Sequence, residues 1–368
     1  MKILITGADG FIGKNLRVAL SEHSDMEVLA VTRATSKAEF AEAIGEADAV
    51  IHLAGVNRPG DPAEFAICNT GLSAWLCDVL CDAGRAVPIA FASSTQAERD
   101  TPYGTSKRAA EELLLRYGRE AGAPVAIYRL PNVFGKWCRP NYNSVVATFC
   151  HNIARGFPIR IDDPAAPMAL VYIDDVVAEL VRFLSTPPDN SGFSEVSPVY
   201  NSTVGELARQ IEAFVEARQS LTTERVGSGL VRALYATYVS YLPTAAFSYS
   251  IPQYADQRGV FVEMLKTKDS GQVSFFTAHP GITRGGHYHH SKTEKFLVIK
   301  GKARFRFRHV LSNEAYQVET EGAEPVIVET IPGWAHDITN IGDEDMIVML
   351  WANEVFDRAR PDTIASPV

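Results

Sequence analysis

MKILITGADGFIG, residues 1–13, is a short apolar run that breaks into three glycines spaced three apart. Residues 2–6 read as a buried strand, and GFIGKNLRVALSE, residues 10–22, has helical periodicity. Gly7, Gly10 and Gly13 therefore occupy the turn between a strand and a helix. Each has its own use there: Gly7 for the tight turn, Gly10 for close approach of backbone to a pyrophosphate, Gly13 for helix–strand packing. The phosphates of a dinucleotide would rest on the helix N-terminus, beside Phe11 and Ile12. Three glycines alone are a weak signal. Their position directly after the first strand, with HLAG (His52–Gly55) after a later one, points to a dinucleotide site that also takes in Leu53, Ala54 and Gly55.

Outward from this turn, strands and helices alternate. EVLAVT (27–32), DAVIHLAG (48–55), AVPIAFASS (86–94) and PVAIYRLPNVFG (124–135) read as buried strands. TSKRAAEELLLRYGREAG (105–122) reads as a helix, with Glu111 and Glu112 set against Arg116 and Arg119 on its surface. Alternation of this kind implies a parallel sheet with right-handed crossovers. Helical segments at 144–156, 174–185 and 203–220 follow, and LYATYVSYLPTAAF (234–247) reads as a join. From about residue 247 the texture changes to short strands separated by Gly, Pro and Asp, as in an antiparallel barrel or sandwich. The expected fold is α/β plus all-β. Residues 1–242 form a Rossmann-type domain, with a small substrate subdomain over roughly 135–242, and residues 243–368 form a β-barrel.

Bulk properties bound the function classes. A chain of 368 residues with 46% hydrophobic and 21% charged residues is an ordinary globular enzyme of two or more domains. The net charge of −9 argues against a nucleic-acid-binding surface. Five cysteines, none in Cys-x-x-Cys spacing, read as reduced thiols. No apolar run approaches the roughly 20 residues of a membrane span. With a strand at the very start in place of a signal sequence, the expected location is cytoplasmic.

The end of the second strand reads LAVTRATSK (29–37) and carries no acid for a ribose 2′-hydroxyl. Arg33 stands there instead, where it can meet a 2′-phosphate, so the expected cofactor is NADPH. Downstream, FASSTQAERDTPYGTSK (91–107) supplies Ser93, Ser94, Tyr103 and Lys107. Tyr-x-x-x-Lys puts both side chains on one helix face, a turn apart. A lysine ammonium there lowers the phenol pKa and holds the nicotinamide ribose, the tyrosine passes a proton to a carbonyl oxygen, and the serine orients that oxygen.

With these residues in hand, the first two-thirds of the chain resembles the extended short-chain dehydrogenase/reductases that act on nucleotide sugars. GADGFIG, HLAG, SST, YGTSK, RLPNVFG and VYIDDV carry the likeness. It implies Ser94 as the catalytic serine, with Ser93 the alternate, beside Tyr103 and Lys107. It also implies Asn132 as a sugar-nucleotide contact and Asn69 as a structural or proton-relay residue.

The last third is similar to the cupins. Gly281, His287, His289, Glu294 and Gly301 stand at the spacing of the first cupin motif, and IPGWAHDITN (331–340) offers His336 as a fourth ligand. Pro332 and Gly333 are adjacent here, whereas the usual second motif separates them by one residue. Three imidazoles and one carboxylate suit a divalent metal, Zn²⁺ first. ADQRGVFVEML (255–265) resembles a segment of the cupin epimerases of dTDP-4-keto-6-deoxy sugars, which implies Arg258 and Glu263 as substrate contacts. Asp256, Glu263 and Asp337 remain open as the base.

The domain order and the stretches AGVNRP, FGKWCRPNYNSVVATFC, LYATYVSYLP and EKFLVIKGKARFRFRHV resemble the CapF-type bifunctional enzymes of bacterial capsule and O-antigen synthesis. That likeness implies a homodimer acting on a UDP-linked 4-keto-6-deoxy amino sugar. The cupin would epimerise C3 and the reductase would then reduce C4 with NADPH, giving UDP-2-acetamido-2,6-dideoxy-L-talose, the precursor of UDP-N-acetyl-L-fucosamine. The alternative is a 4-keto-sugar reductase whose metal-bound cupin is only a dimerisation module.

Overall fold

The computed structural model describes residues 1–359 and 361–368. The chain divides into two compact units, Met1–Ile211 with Ala233–Leu242, and Glu212–Arg232 with Pro243–Val368.

The first unit runs β1 (Lys2–Thr6), α1 (Phe11–Ser21), β2 (Glu27–Val31), α2 (Lys37–Glu46) and β3 (Ala49–His52). A short α3 (Ala63–Phe65) passes through a π turn, Ala66–Gly71, into α4 (Leu72–Asp82), followed by β4 (Ile89–Ser94), α5 (Pro102–Ala121) and β5 (Val125–Leu130). Beyond these lie β6 (Asn132–Phe134), α6 (Val145–Ile153), β7 (Pro167–Tyr172), α7 (Ile173–Ser185), β8 (Gly192–Ser194), β9 (Val199–Thr203) and α8 (Val204–Ser220), whose residues from Glu212 on count with the second unit. The main sheet has the order β2-β1-β3-β4-β5-β8 and is parallel throughout. Its apolar strands are buried on both faces, as the uninterrupted runs require. Leu4, Val50, Ile89, Phe91, Leu114, Tyr117 and Ile127 lie in one core cluster. A separate small sheet joins β6, β7 and β9.

Because β2 and β3 flank β1, the winding reverses there. Open α/β sheets take ligands at the carboxyl ends of strands at such a switch point. The Gly7 turn follows β1 and the HLAG loop follows β3, so sheet order alone brings them side by side. The helix expected from residue 105 starts earlier, at Pro102: Thr101 Oγ1 accepts from Gly104 N at 3.1 Å and caps the end. Tyr103 thus sits in the first turn.

The second unit includes β10 (Thr222–Thr223), and its parallel pairing with Lys266–Thr267 ties residues 212–232 to this unit. The stretch read as a join folds as the end of α9 (Gly229–Ser240) and a 3₁₀ turn, Thr244–Ala246. The strands are β11 (Tyr254–Asp256), β12 (Gly259–Thr267), β13 (Gln272–Ala278), β14 (Thr283–Tyr288), β15 (Glu294–Lys300), β16 (Lys302–His309), β17 (Ala315–Glu321), β18 (Ile327–Glu329), β19 (Trp334–Asn340), β20 (Met346–Ala352) and β21 (Ile364–Ala365). One sheet has the order β10-β12-β13-β20-β15-β18, with β11 on β12, and the other β17-β16-β19-β14-β21. Every pairing among β11–β21 is antiparallel. β13 and β20 bury alternate residues, and Phe276, Phe296, Val348 and Leu350 of one sheet pack in one cluster with Phe305 and Ile338 of the other. The observed class is the expected one, a Rossmann-type parallel sheet followed by an antiparallel double-sheet cupin. No described helix is long and apolar enough to cross a membrane.

Candidate active site and metal centre

Gly7 has φ +68°, and a Cβ there would lie 2.9 Å from Ala54 N. A Cβ on Gly13 would meet Gly7 O at 2.5 Å and Ala8 O at 2.7 Å. Both positions therefore require glycine, one for the left-handed turn and one for the approach of α1 to that turn. Gly10 caps α1 with no side chain over the end, so the first N–H groups of the helix face outward, ready for an anion. These are the features a dinucleotide pyrophosphate needs. Arg33 is exposed on the turn after β2.

A relay that sequence reasoning missed holds this cradle. Thr6 Oγ1 accepts from Leu53 N and Ala54 N, each at 3.1 Å, and lies 2.7 Å from His52 Nδ1. With both lone pairs used, the hydroxyl donates to Nδ1. His52 Nε2 then donates to Ser73 Oγ at 2.9 Å, and Ser73 donates to Asn69 O at 2.8 Å. Burial, and then the charge of Lys107, push His52 down to about 3, so the ring stays neutral and the chain of donors is fixed. The only sequence signal was His52 itself, at the head of HLAG.

Asn69 lies in the π turn. Its Oδ1 accepts from Val56 N at 2.8 Å, and its Nδ2 donates to Val56 O at 3.2 Å and to Ser106 Oγ at 2.9 Å. Ser106 Oγ donates in turn to Tyr103 O at 2.8 Å. Of the two roles open to Asn69, these contacts favour the brace between the HLAG loop and the first turn of α5. A π turn at such a junction is a common functional-site device.

Ser94, whose Oγ accepts from Gln96 N at 3.2 Å, lies beside Tyr103 and lowers the phenol pKa against the larger upward push of burial. Ser93 points elsewhere, donating to Glu111. Glu111 is not a surface partner of the α5 arginines, as its helical spacing suggested. It is buried, and Arg129 grips it through Nε at 3.0 Å and Nη2 at 2.6 Å. β5 lies beside β4 in the sheet, and that tertiary neighbour outcompetes the solvent-exposed arginines of its own helix. Lys107 is 5% exposed, donates to Ala92 O at 2.9 Å and lies 4.8 Å from the Phe91 ring centroid. Burial pulls it down to about 8. Asn132 Nδ2 donates to Ala169 O at 3.1 Å, tying β6 to β7.

In the second unit His287, His289, Glu294 and His336 come together, their ligand atoms all within 4.8 Å of one another. His287 and His336 are register partners on β14 and β19. β14, which carries His287, ends at Tyr288, and His289 lies just beyond it. Glu294 opens β15, with Oε2 3.2 Å from His289 Nε2 and 3.5 Å from His336 Nε2. Buried His336 Nε2 has no hydrogen-bond partner among the described residues. His289 Nδ1 faces the Asp362 carbonyl, which only accepts, so Nδ1 carries a hydrogen. Converging lone pairs at this spacing call for a cation among them, and the donor set suits a divalent transition metal. Burial, then His336 and His289, hold His287 down to about 4, in the neutral form a metal needs. Burial alone would raise Glu294; its bond to His289 and the charge of Lys292, whose Nζ lies 3.1 Å from Oε1, outweigh that and hold it well below the usual carboxylate range.

The other acids named from the sequence are engaged. Both Asp337 oxygens are taken by Arg306. Arg258 hydrogen-bonds Asp256 and holds it down to about 2. Glu263 stands at the β12 bulge, 3.7 Å from Lys266 Nζ. His290 is exposed, His279 pairs with Asp345 at 2.8 Å, and His309 packs on Trp334. None of the five cysteines forms a disulfide.

Comparison with known proteins places two family models on the chain. Residues 3–193 match the NAD dependent epimerase/dehydratase family, and residues 254–364 match the polysaccharide biosynthesis C-terminal domain. The chain is 58% identical, over all of its length and 99% of the relative's, to the UDP-2-acetamido-2,6-beta-L-arabino-hexul-4-ose reductase of Pseudomonas aeruginosa. It superposes along both full chains on the crystal structure of the capsular polysaccharide assembling protein CapF of Staphylococcus aureus, at 43% identity and TM-score 0.92. A UDP-glucose 4-epimerase of Thermotoga maritima, at 22% identity and TM-score 0.56, covers 66% of this chain and 98% of its own and shares the fold.

Proposed function

We propose, from the premise that the chain belongs to the NAD dependent epimerase/dehydratase family, that it converts a UDP-2-acetamido-2,6-dideoxy-4-ketohexose in two steps. The second unit inverts C3, and the first then reduces C4 to give UDP-2-acetamido-2,6-dideoxy-L-talose, on the route to UDP-N-acetyl-L-fucosamine. One observation carries this: full-length 58% identity to a reductase named for a UDP-linked hexul-4-ose, in a chain where Ser94 lies beside Tyr103 and Lys107 follows one turn on along the same helix.

A C–H next to a ketone is acidic because its carbanion spreads onto oxygen. Inversion at C3 therefore needs the C4 ketone, and reduction removes it, so inversion comes first. NADPH, when bound, supplies the hydride. Gly7, Gly10 and Gly13 would cradle its pyrophosphate, and Arg33 its 2′-phosphate. As the carbonyl becomes an alcohol, its oxygen takes a proton from Tyr103, whose phenol burial keeps protonated. Ser94 orients that oxygen, and the Lys107 ammonium holds the ribose and favours the tyrosinate left behind.

A divalent metal, Zn²⁺ by donor set, would be held by His287, His289, Glu294 and His336 and would supply Lewis acidity beside the ketone. Arg258 and Glu263 contact the substrate in this reading. Since arginines hold Asp256 and Asp337, Glu263 is the remaining candidate base among the three acids. A second reading has support in the ligand count. Four protein donors close a tetrahedral site, as structural zinc sites do, which would leave the cupin as a staple.

Incubation with the UDP-4-keto sugar in D₂O separates them. Tyr103→Phe should abolish NADPH oxidation and still place deuterium at C3. Absence of deuterium at C3 in the wild type favours the staple; loss of both activities in Tyr103→Phe refutes the division of labour.

A further inference from the structure

The His289 ring is not oriented by strand geometry, because β14 stops one residue before it. What orients it is the C-terminal segment. His289 Nδ1 donates to the backbone carbonyl of Asp362, 73 residues further on. That bond fixes the tautomer and leaves the Nε2 lone pair turned toward Glu294 and the other imidazoles.

The carboxylate of the same residue holds the turn that follows. Asp362 Oδ1 accepts from His290 N at 2.9 Å, and Oδ2 accepts from Ser291 N at 2.8 Å, Lys292 N at 2.9 Å and Ser291 Oγ at 3.1 Å. This turn joins His289 to Glu294 and carries Lys292, whose ammonium is 3.1 Å from Glu294 Oε1. Further along the segment, Ile364 and Ala365 pair with Tyr288 and His287, and Ser366 N donates to Gly286 O at 2.8 Å. Arg308 secures the end, with Nη2 donating to Ser366 Oγ and to Pro367 O, each at 2.8 Å. One stretch of chain thus touches the ring of one ligand, the strand of a second and the turn leading to a third.

We propose that the C-terminal segment, anchored by Asp362, is the positioning element of the metal centre. The Asp362 carbonyl sets the tautomer and angle of His289, and the Asp362 carboxylate sets the turn from which Lys292 and Glu294 reach inward. The proposal rests on reading the quartet as a metal centre. Asp362 is a positioning residue: it acts through His289 and the turn. An acceptor on the far nitrogen of a ligating imidazole raises its basicity and fixes its aim, and removing such support costs about 10–100-fold in metal affinity.

The test uses the full-length protein with Asp362→Ala and Asp362→Asn, the second keeping the side-chain shape while removing its charge. Zinc affinity is measured by competition with a chromophoric chelator, ligand geometry by the visible spectrum of the cobalt(II) protein, and fold stability by urea denaturation of the metal-free protein. Both variants keep the Asp362 carbonyl but release the turn that its carboxylate holds, so both should lose about 10-fold in zinc affinity, the low end for an outer-shell partner, and show altered cobalt bands. Variants that unfold more easily yet bind zinc with wild-type affinity and an unchanged cobalt spectrum would make the segment merely structural and overturn the proposal. A wild-type chain that takes up neither zinc nor cobalt overturns the metal-centre reading beneath it as well, so the two failures are distinct.

Discussion

Lys107→Met should make the protein more stable while destroying the proposed reduction. Lys107 is 5% exposed, and burial pulls it from the ordinary 10.5 to about 8. Keeping the ammonium charged below that pH costs about 3 kcal/mol, at about 1.4 kcal/mol per pH unit of displacement. Methionine fills much the same space without the charge. It gives up the amine's hydrogen bond to Ala92 O, which is worth about 1 kcal/mol net. The balance is a gain of about 2 kcal/mol near neutral pH, or several degrees in melting temperature for a unit of this size. The sign with pH follows from linkage. The lysine's folded value lies below its unfolded one, so the wild type gains stability as pH rises from about 8 toward 10.5, where the folded chain has shed a proton the unfolded chain keeps. The advantage of the variant is therefore full below about pH 8 and dwindles toward 10.5. Urea denaturation of the cofactor-free proteins at about pH 7 and about pH 10 reads this directly, with NADPH oxidation assayed in parallel. A variant less stable than wild type at neutral pH, or equally favoured at both pH values, refutes the reasoning.

Gly13→Ala drives a Cβ to 2.5 Å from Gly7 O, so it should cost about 1–3 kcal/mol and weaken NADPH binding in a fluorescence titration; Gly45→Ala, with nothing within 4 Å, should do neither. Arg33→Glu should weaken NADPH by about 10–100-fold, the worth of a charged hydrogen bond, and narrow the preference over NADH in steady-state KM values. Glu294→Gln leaves the Lys292 ammonium buried without its counter-charge. In the metal-free protein it should destabilise the second unit by about 3 kcal/mol in urea, and adding Lys292→Met should recover most of that.

The elements that were legible in the sequence are those that backbone periodicity repeats locally. A strand running into Gly7, Gly10 and Gly13 announced a tight glycine turn that opens a helix. Tyr103 and Lys107, four apart, announced one helix face, and the short strands separated by Gly, Pro and Asp from about residue 247 announced an antiparallel sheet. The spacing of His287, His289 and Glu294 was enough to bring these three to one point, and His336 joined them despite the altered Pro332–Gly333 spacing.

Tertiary structure alone decided everything that depends on which distant strand lies alongside. β5 beside β4 turned Glu111 inward to Arg129, engaged Ser93 with it and left Ser94 to Tyr103. The sheet order put Thr6, His52 and Ser73 in a single relay under the HLAG loop. The pairing of β21 with β14 carried Asp362 to His289. Dihedral preferences act over one turn or one pleat and are written in neighbouring residues. A hydrogen-bond partner tens of residues away is chosen by sheet register and by the cost of leaving a buried polar group unpaired, and neither exists until the chain has folded.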